Sequence, residues 1–187
     1  MTIPQLKEKY KYAHEAYMKH KDTNRTNNVE AQYLPEAIAF LKEYHPQSRF
    51  IVNNDNFLNY CGCDIIEVSA DNKVFIWDLK VCKYYKDFEV LCDGWKHSSD
   101  NIYYKATDVK LNDFFLFINA DNFIVLPFDT VANNIPPKED CFFMRRDLYK
   151  TTLKFVFDTK YFRKYYKERK KYDRLRIGKS KRLLWTL

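Results

Sequence analysis

The stretch from Asp64 to Lys80 reads DIIEVSADNKVFIWDLK. Two β-rich runs, Asp64–Val68 and Lys73–Lys80, flank the short polar turn Ser69–Asn72, which predicts an antiparallel hairpin. Strand side chains alternate faces, so Asp78 and Lys80 share a face with Val74 and Ile76. A charged pair therefore interrupts an apolar strand. Burying a carboxylate and an ammonium is costly unless they are paired or bind a metal. Asp64 opens the partner strand, and a hairpin in this register brings it close to Asp78. Two converging carboxylates make an oxygen-rich site for a hard cation such as Mg²⁺. The cation would polarise a phosphodiester and acidify a bound water, and a nearby lysine would orient that water and stabilise negative charge. The stretch thus points to metal-assisted phosphodiester hydrolysis. Glu67 falls on the opposite strand face and is expected to meet solvent.

Outward from this hairpin, Val29–Tyr44 reads as a helix with Tyr33, Ala37, Ile38, Leu41 and Tyr44 on one face. Pro35 either kinks it or starts it, and His45-Pro46 ends it. Residues 4–20 read as an earlier amphipathic helix. Arg49–Asn53 and Phe88–Leu91 are strand candidates, and Gly94–Asn101 (GWKHSSDN) reads as a loop. Phe114–Ile118 and Phe123–Leu126 form a second predicted hairpin, followed by a short helix in Pro127–Ala132. Cys141–Met144 and Leu153–Phe157 read as strands, and Thr159–Arg176 as a last, basic helix. The order helix, helix, strands, helix argues for a single α/β or α+β domain.

Composition narrows the function classes. The 187 residues contain only 3 glycines, and Gly62, Gly94 and Gly178 lie too far apart for a phosphate-cradling loop. No stretch approaches the about 18 uncharged apolar residues of a membrane span. The polar N-terminus and the odd number of cysteines, 5, fit a soluble, cytoplasmic protein in a reducing compartment. Cys61, Cys63, Cys82, Cys92 and His97 lack regular zinc spacing, and free thiols are the better account. The net charge of +7 is unevenly placed: Lys160–Arg182 holds 12 Lys and Arg against 2 acidic residues. This run interleaves Tyr161, Phe162, Tyr165, Tyr166 and Tyr172 with Arg163, Lys164, Lys167, Arg169, Lys170, Lys171, Arg174 and Arg176. It suits contact with nucleic-acid phosphates and unstacked bases. A solvated basic helix packing by its aromatic face is the alternative. Lys83 and Lys86, just after the central hairpin, are further candidates for phosphate contact.

An Asp opening one strand and Asp78-Leu79-Lys80 on the next resemble the PD-(D/E)xK nuclease superfamily. Cys63 stands where the family's proline precedes the first aspartate. Two more features resemble its archaeal Holliday-junction-resolving branch. One is a glutamate on the helix before the first strand, here Glu30 with Glu36 as competitor. The other is the run FFLFINADNFIVLPFDTV, a hairpin ending in apolar-Pro-Phe-acidic sequence. The resemblance spans about Val29 to Ala132. It implies a restriction-endonuclease-like α/β fold with a mixed central β-sheet flanked by helices. Residues 1–158 would form the nuclease-like domain, with 159–187 as a basic aromatic tail packed on it. Asp64, Asp78, Glu30 and the Leu79 carbonyl would ligate Mg²⁺ or Mn²⁺, and Lys80 would orient the attacking water. His45 matches the extra helical ligand of some members, although a helix C-terminal role suits it better. The implied activity is endonucleolytic cleavage of DNA, structure-specific or of the restriction or mobile-element kind, with a homodimer as the family's expectation. The alternatives are an RNase of the same superfamily and a non-catalytic nucleic-acid-binding or inhibitory protein on the same fold.

Overall fold

The computed structural model describes Lys11, His14, Met18, residues 30–97, 103–144 and 152–161, and the backbone of 165–168. Lys11, His14 and Met18 are helical, and the rest of the helix expected over 4–20 lies outside the described residues. A 3-10 turn, Glu30–Tyr33, runs into helix α1, Leu34–Tyr44. Pro35 sits in the first turn of α1, where its missing N–H costs nothing, so it starts the α-helix and does not kink it. Strand β1 (Arg49–Val52) precedes a short helix α2 (Asn56–Tyr60), absent from the sequence reading. Its signal was there: Asp55 caps it by accepting from the Leu58 N–H at 2.8 Å.

Strands β2 (Ile65–Val68) and β3 (Val74–Cys82) form the predicted antiparallel hairpin, with Ile65 opposite Trp77 and Val68 opposite Val74. β6 (Phe114–Asn119) and β7 (Asn122–Pro127) form the second, followed by helix α3 (Phe128–Ala132). These strands belong to a six-stranded sheet in the order β1-β2-β3-β6-β7-β10, where β10 is Tyr165–Glu168. β3 and β6 run parallel and the other neighbours antiparallel, so the sheet is mixed.

Parallel neighbours need a long crossover. Here the crossover from β3 to β6 carries β4 (Glu89–His97), β5 (Tyr103–Lys105) and a 3-10 turn, Ala106–Val109. With β8 (Phe142–Phe143) and β9 (Thr152–Asp158), β4 and β5 build a second, antiparallel sheet in the order β5-β4-β9-β8. Among the described residues a helix covers one face of the central sheet and the second sheet covers the other, where helices were expected on the flanks. Ala37, Phe40 and Leu41 of α1 cover one face, packing on Ile65, Trp77, Leu79, Leu116, Ile118, Phe123 and Val125. The second sheet covers the other: Val90, Cys92, Phe155 and Phe157 pack on Cys82, Phe115, Phe117, Ile124 and Leu126. β6 and β7 are buried on both faces, which is why FFLFI and FIVL are continuously apolar.

Two further expectations are corrected. Gly94–His97 is strand, not loop. Gly94 marks a register shift between Asp93 and Trp95, where an added Cβ would lie 3.1 Å from Cys141 Sγ and 3.2 Å from Phe155 Cδ1. The glycine permits close approach within a sheet and does not break the strand. In the segment expected as helix over 159–176, residues 165–168 are strand, with Tyr165 opposite Val125 and Glu168 opposite Asn122. Pairing with the otherwise open edge of β7 outweighs the helical reading of the Lys-rich run, and Tyr165 and Tyr166 are good strand formers. This part of the basic tail thus belongs to the same sheet as the Asp78 strand.

Candidate functional site

The hairpin brings the predicted residues together. Asp64 extends the β2 register by one residue: its N–H donates to the Trp77 carbonyl at 3.0 Å. Its side chain then reaches across to β3, where Oδ2 accepts the Leu79 N–H at 2.7 Å. Asp78 is fully buried, and its Oδ1 accepts from Lys80 Nζ at 2.7 Å. Glu30, on the turn before α1, is one of the charges acting on Asp64 and Lys80. Glu36 is buried on α1. Leu79 enters the site by its amide, committed to Asp64, while its side chain sits in the core against α1.

Three participants were not foreseen. Lys110, itself buried, places Nζ 2.9 Å from Asp78 Oδ2. Asp93 on β4 is ion-paired to Lys154, its partner in register on β9. Lys96, also on β4, lies with Nζ 3.7 Å above the centre of the Tyr60 ring. All three come from the crossover and the second sheet, so no local pattern around residues 64–80 pointed to them. Gly62 completes the wall. Its φ is +79°, and an added Cβ would meet Asp78 Oδ2 at 2.9 Å, Lys110 Cδ at 2.9 Å and Asn112 Oδ1 at 3.0 Å. Only glycine combines this backbone conformation with so close an approach.

The charges shift one another. Burial and the neighbouring Asp78 push the Asp64 carboxyl up to about 7. Burial acts against ionised Asp78 too, but Lys110 and Lys80 overcome it and hold the carboxyl below its ordinary value. Burial likewise opposes the Lys80 charge, yet Asp78, Glu30, Asp93 and Asp64 keep it protonated well above the usual lysine range. Burial and the ammonium of Lys110 bring Lys96 down to about 7. Lys110 approaches Asp78 as an ion pair without hydrogen-bond alignment, leaving Asp78 Oδ2 and Asn112 Oδ1 as buried oxygens without a hydrogen-bond donor.

This donor set can be compared with what a divalent cation needs. Among the described residues no three His, Cys, Asp or Glu side chains converge on one metal position. Mg²⁺ commonly takes one or two carboxylates and completes its shell with water and substrate phosphate. Asp64 and Asp78 on adjacent strands fit that smaller requirement, and the repulsion that raises Asp64 is what a bound cation relieves. An all-protein metal cage does not fit.

The remaining candidates divide. Glu67 is on the opposite face from Asp64, as read, but it is buried and not solvent-facing. It accepts from Ser48 Oγ at 2.7 Å and Trp77 Nε1 at 2.9 Å, and pairs with His45 Nδ1 at 2.7 Å. A buried carboxylate with three partners is structural glue between α1, β2 and β3, and His45 is engaged there, away from Asp64. None of the five cysteines forms a disulfide. Burial lifts the Cys63 thiol to about 11, with Asp64 adding to it, and Cys82 to about 11, so these sulfurs stay protonated. Lys83 is exposed beside the Tyr84 ring. Arg163, Lys164, Arg169, Lys170, Lys171, Arg174 and Arg176 lie outside the described residues, and Lys167 is described only as backbone of β10. Comparison of the chain with protein families, with curated proteins and with solved structures gave no match.

Proposed function

We propose that the protein is an Mg²⁺- or Mn²⁺-dependent endonuclease acting on DNA. The observation that carries this reading is the pairing of β2 with β3, which sets the Asp64 carboxylate on the Leu79 amide beside buried Asp78, with Lys80 on Asp78. Asp64 and Asp78 would hold the cation, the Leu79 carbonyl would be a further oxygen, and Glu30 would add negative charge nearby. A bound cation supplies charge neutralisation and a more acidic water. The residues of this chain do the rest. The Leu79 N–H fixes the Asp64 side chain. Lys80, held protonated, orients a water and faces the negative charge that builds on the phosphate. The basic run 160–182 contributes sequence-independent attraction to the backbone.

One observation favours a second reading, a nucleic-acid-binding protein that does not cut. Lys80 and Lys110 already neutralise Asp78, and the described residues hold no three-ligand group. Incubating plasmid, branched DNA and RNA with Mg²⁺ or Mn²⁺ separates the readings. Cleavage of DNA is expected, reduced to background in Asp78→Asn with binding kept. Cutting of RNA alone would make it an RNase. Binding without cleavage of any of these would end the enzyme reading.

A further inference from the structure

We propose that Lys110 is a displaceable counter-ion: its ammonium neutralises Asp78 until a divalent cation takes Oδ2, and then moves to the side-chain oxygen of Asn112. The inference rests on the reading of Asp64 and Asp78 as a cation site, and it names the residue with which the cation competes. The two lysines hold Asp78 unequally. Lys80 Nζ donates to Oδ1 at 2.7 Å. Lys110 Nζ lies 2.9 Å from Oδ2 as an ion pair, yet Oδ2 accepts no hydrogen bond. Oδ2 is thus the oxygen that a cation can take without breaking the Lys80 bond. Asn112 carries a second such acceptor. It is 5% exposed, and its Oδ1 likewise accepts nothing. Its Nδ2 donates to the Phe114 carbonyl at 3.1 Å, which fixes the amide and leaves Oδ1 as the uncommitted end. Both oxygens approach Gly62. The position a Cβ would take there is 2.9 Å from Asp78 Oδ2, 3.0 Å from Asn112 Oδ1 and 2.9 Å from Lys110 Cδ. Lys110 Cδ is therefore beside both oxygens, with Nζ two bonds farther on. Rotation about those bonds carries the ammonium from one oxygen towards the other.

The backbone need not move for this exchange. The Lys110 N–H donates to the Thr107 carbonyl at 3.1 Å and the Leu111 N–H to the Cys61 carbonyl at 2.8 Å, which anchors the segment beside Gly62. Lys110 also lines a cavity of about 10 Å³ together with Lys80 and Thr107. That is room for about one water, and so for an ammonium to change position. Repulsion between a divalent cation and an ammonium on the same carboxylate drives the exchange. A displaced ammonium with no acceptor would be costly in the interior, and Asn112 Oδ1 supplies the acceptor.

The test is Mn²⁺ binding by the full chain, followed by calorimetry. Lys110→Met removes the charge and keeps an unbranched chain, and it is expected to bind Mn²⁺ about tenfold more tightly. Asn112→Ala should weaken Mn²⁺ binding about threefold in the wild-type background, the worth of one hydrogen bond. In the Lys110→Met background it should change nothing. A purely structural role for Asn112 would not depend on Lys110 in this way. Equal Mn²⁺ affinity in wild type and Lys110→Met would overturn the inference and leave the cation site standing. So would an Asn112→Ala loss of the same size in both backgrounds. Binding by Lys110→Met but not by wild type supports the inference, whereas no binding by either removes it together with the cation reading. Thermal melts check folding. If Lys110→Met does not fold, the lysine ammonium signals of the ¹⁵N-labelled wild-type chain decide. The Lys110 signal, identified by its loss in Lys110→Arg, should shift when Mg²⁺ is added to wild type and stay in place in Asp78→Asn. No shift in wild type, or the same shift in Asp78→Asn, would overturn the inference.

Discussion

Asp64 holds its proton more tightly in the folded protein than in the unfolded chain, at about 7 against an ordinary carboxyl value. The sign of the resulting pH dependence follows from proton binding: between the unfolded and folded pKa values the native state binds more protons, so stability falls as pH rises. In EDTA, Asp64→Asn is therefore expected to be more stable than wild type above about pH 7, with the advantage gone below about pH 4. Denaturant midpoints across that range measure it, and a variant advantage that is flat with pH would remove the raised carboxyl from the description. Burial, with repulsion from Asp78 added to it, is what costs stability there at neutral pH. Gly62 is the second residue with a sharp expectation. Its positive φ and the 2.9 Å approach to Asp78 Oδ2 leave no room for a methyl group. Gly62→Ala should cost about 1–3 kcal/mol and displace Asp78 or Lys110, read as a lower denaturation midpoint together with lost cleavage. Full stability in Gly62→Ala would show that the loop adjusts freely.

At the scale of elements, β10 is the one whose behaviour can be tested most directly. It closes the edge of β7, whose sequence Phe123-Ile124-Val125-Leu126 is buried throughout. An uncovered apolar strand edge is a template for aggregation. Truncation after Tyr161 is expected to lower Tm by about 5 °C or more and to promote aggregation, measured by melting and light scattering. Unchanged melting would mean that β10 adds little to the sheet. The crossover shows the same dependence on distant partners. Lys110 reaches the site because β4, β5 and the 3-10 turn are folded over the face of β3 that carries Asp78 and Lys80. The other face of β3, with Trp77 and Leu79, is taken by α1. Glu67 behaves similarly. Its polarity suggested solvent, but His45, Ser48 and Trp77 surround it once α1 docks.

For the molecule as a whole, charge is divided between a basic C-terminal run and a slightly acidic remainder. Replacing Lys170, Lys171 and Arg174 with Gln should weaken DNA binding and reduce its salt slope by about two to three. An unchanged slope would exclude the run from contact. By itself the sequence determined both hairpins, the helix before β1, and the pairing of Asp78 with Lys80. These follow from alternation, turn residues and the cost of charge in an apolar strand, all of which act within a few residues. It also pointed to Asp64 through its place at the start of the first hairpin strand, whereas Glu30 followed only from the resemblance to the PD-(D/E)xK superfamily. Only the tertiary structure decided that a second sheet covers the Asp78 face, that β10 is strand, that Glu67 is buried, that Lys110 pairs with Asp78, and that Asp93 lines the same cavity as Lys80. Those outcomes depend on contacts between segments far apart in the chain, where burial and charge pairing override local preference. No pattern inside a single stretch carries them.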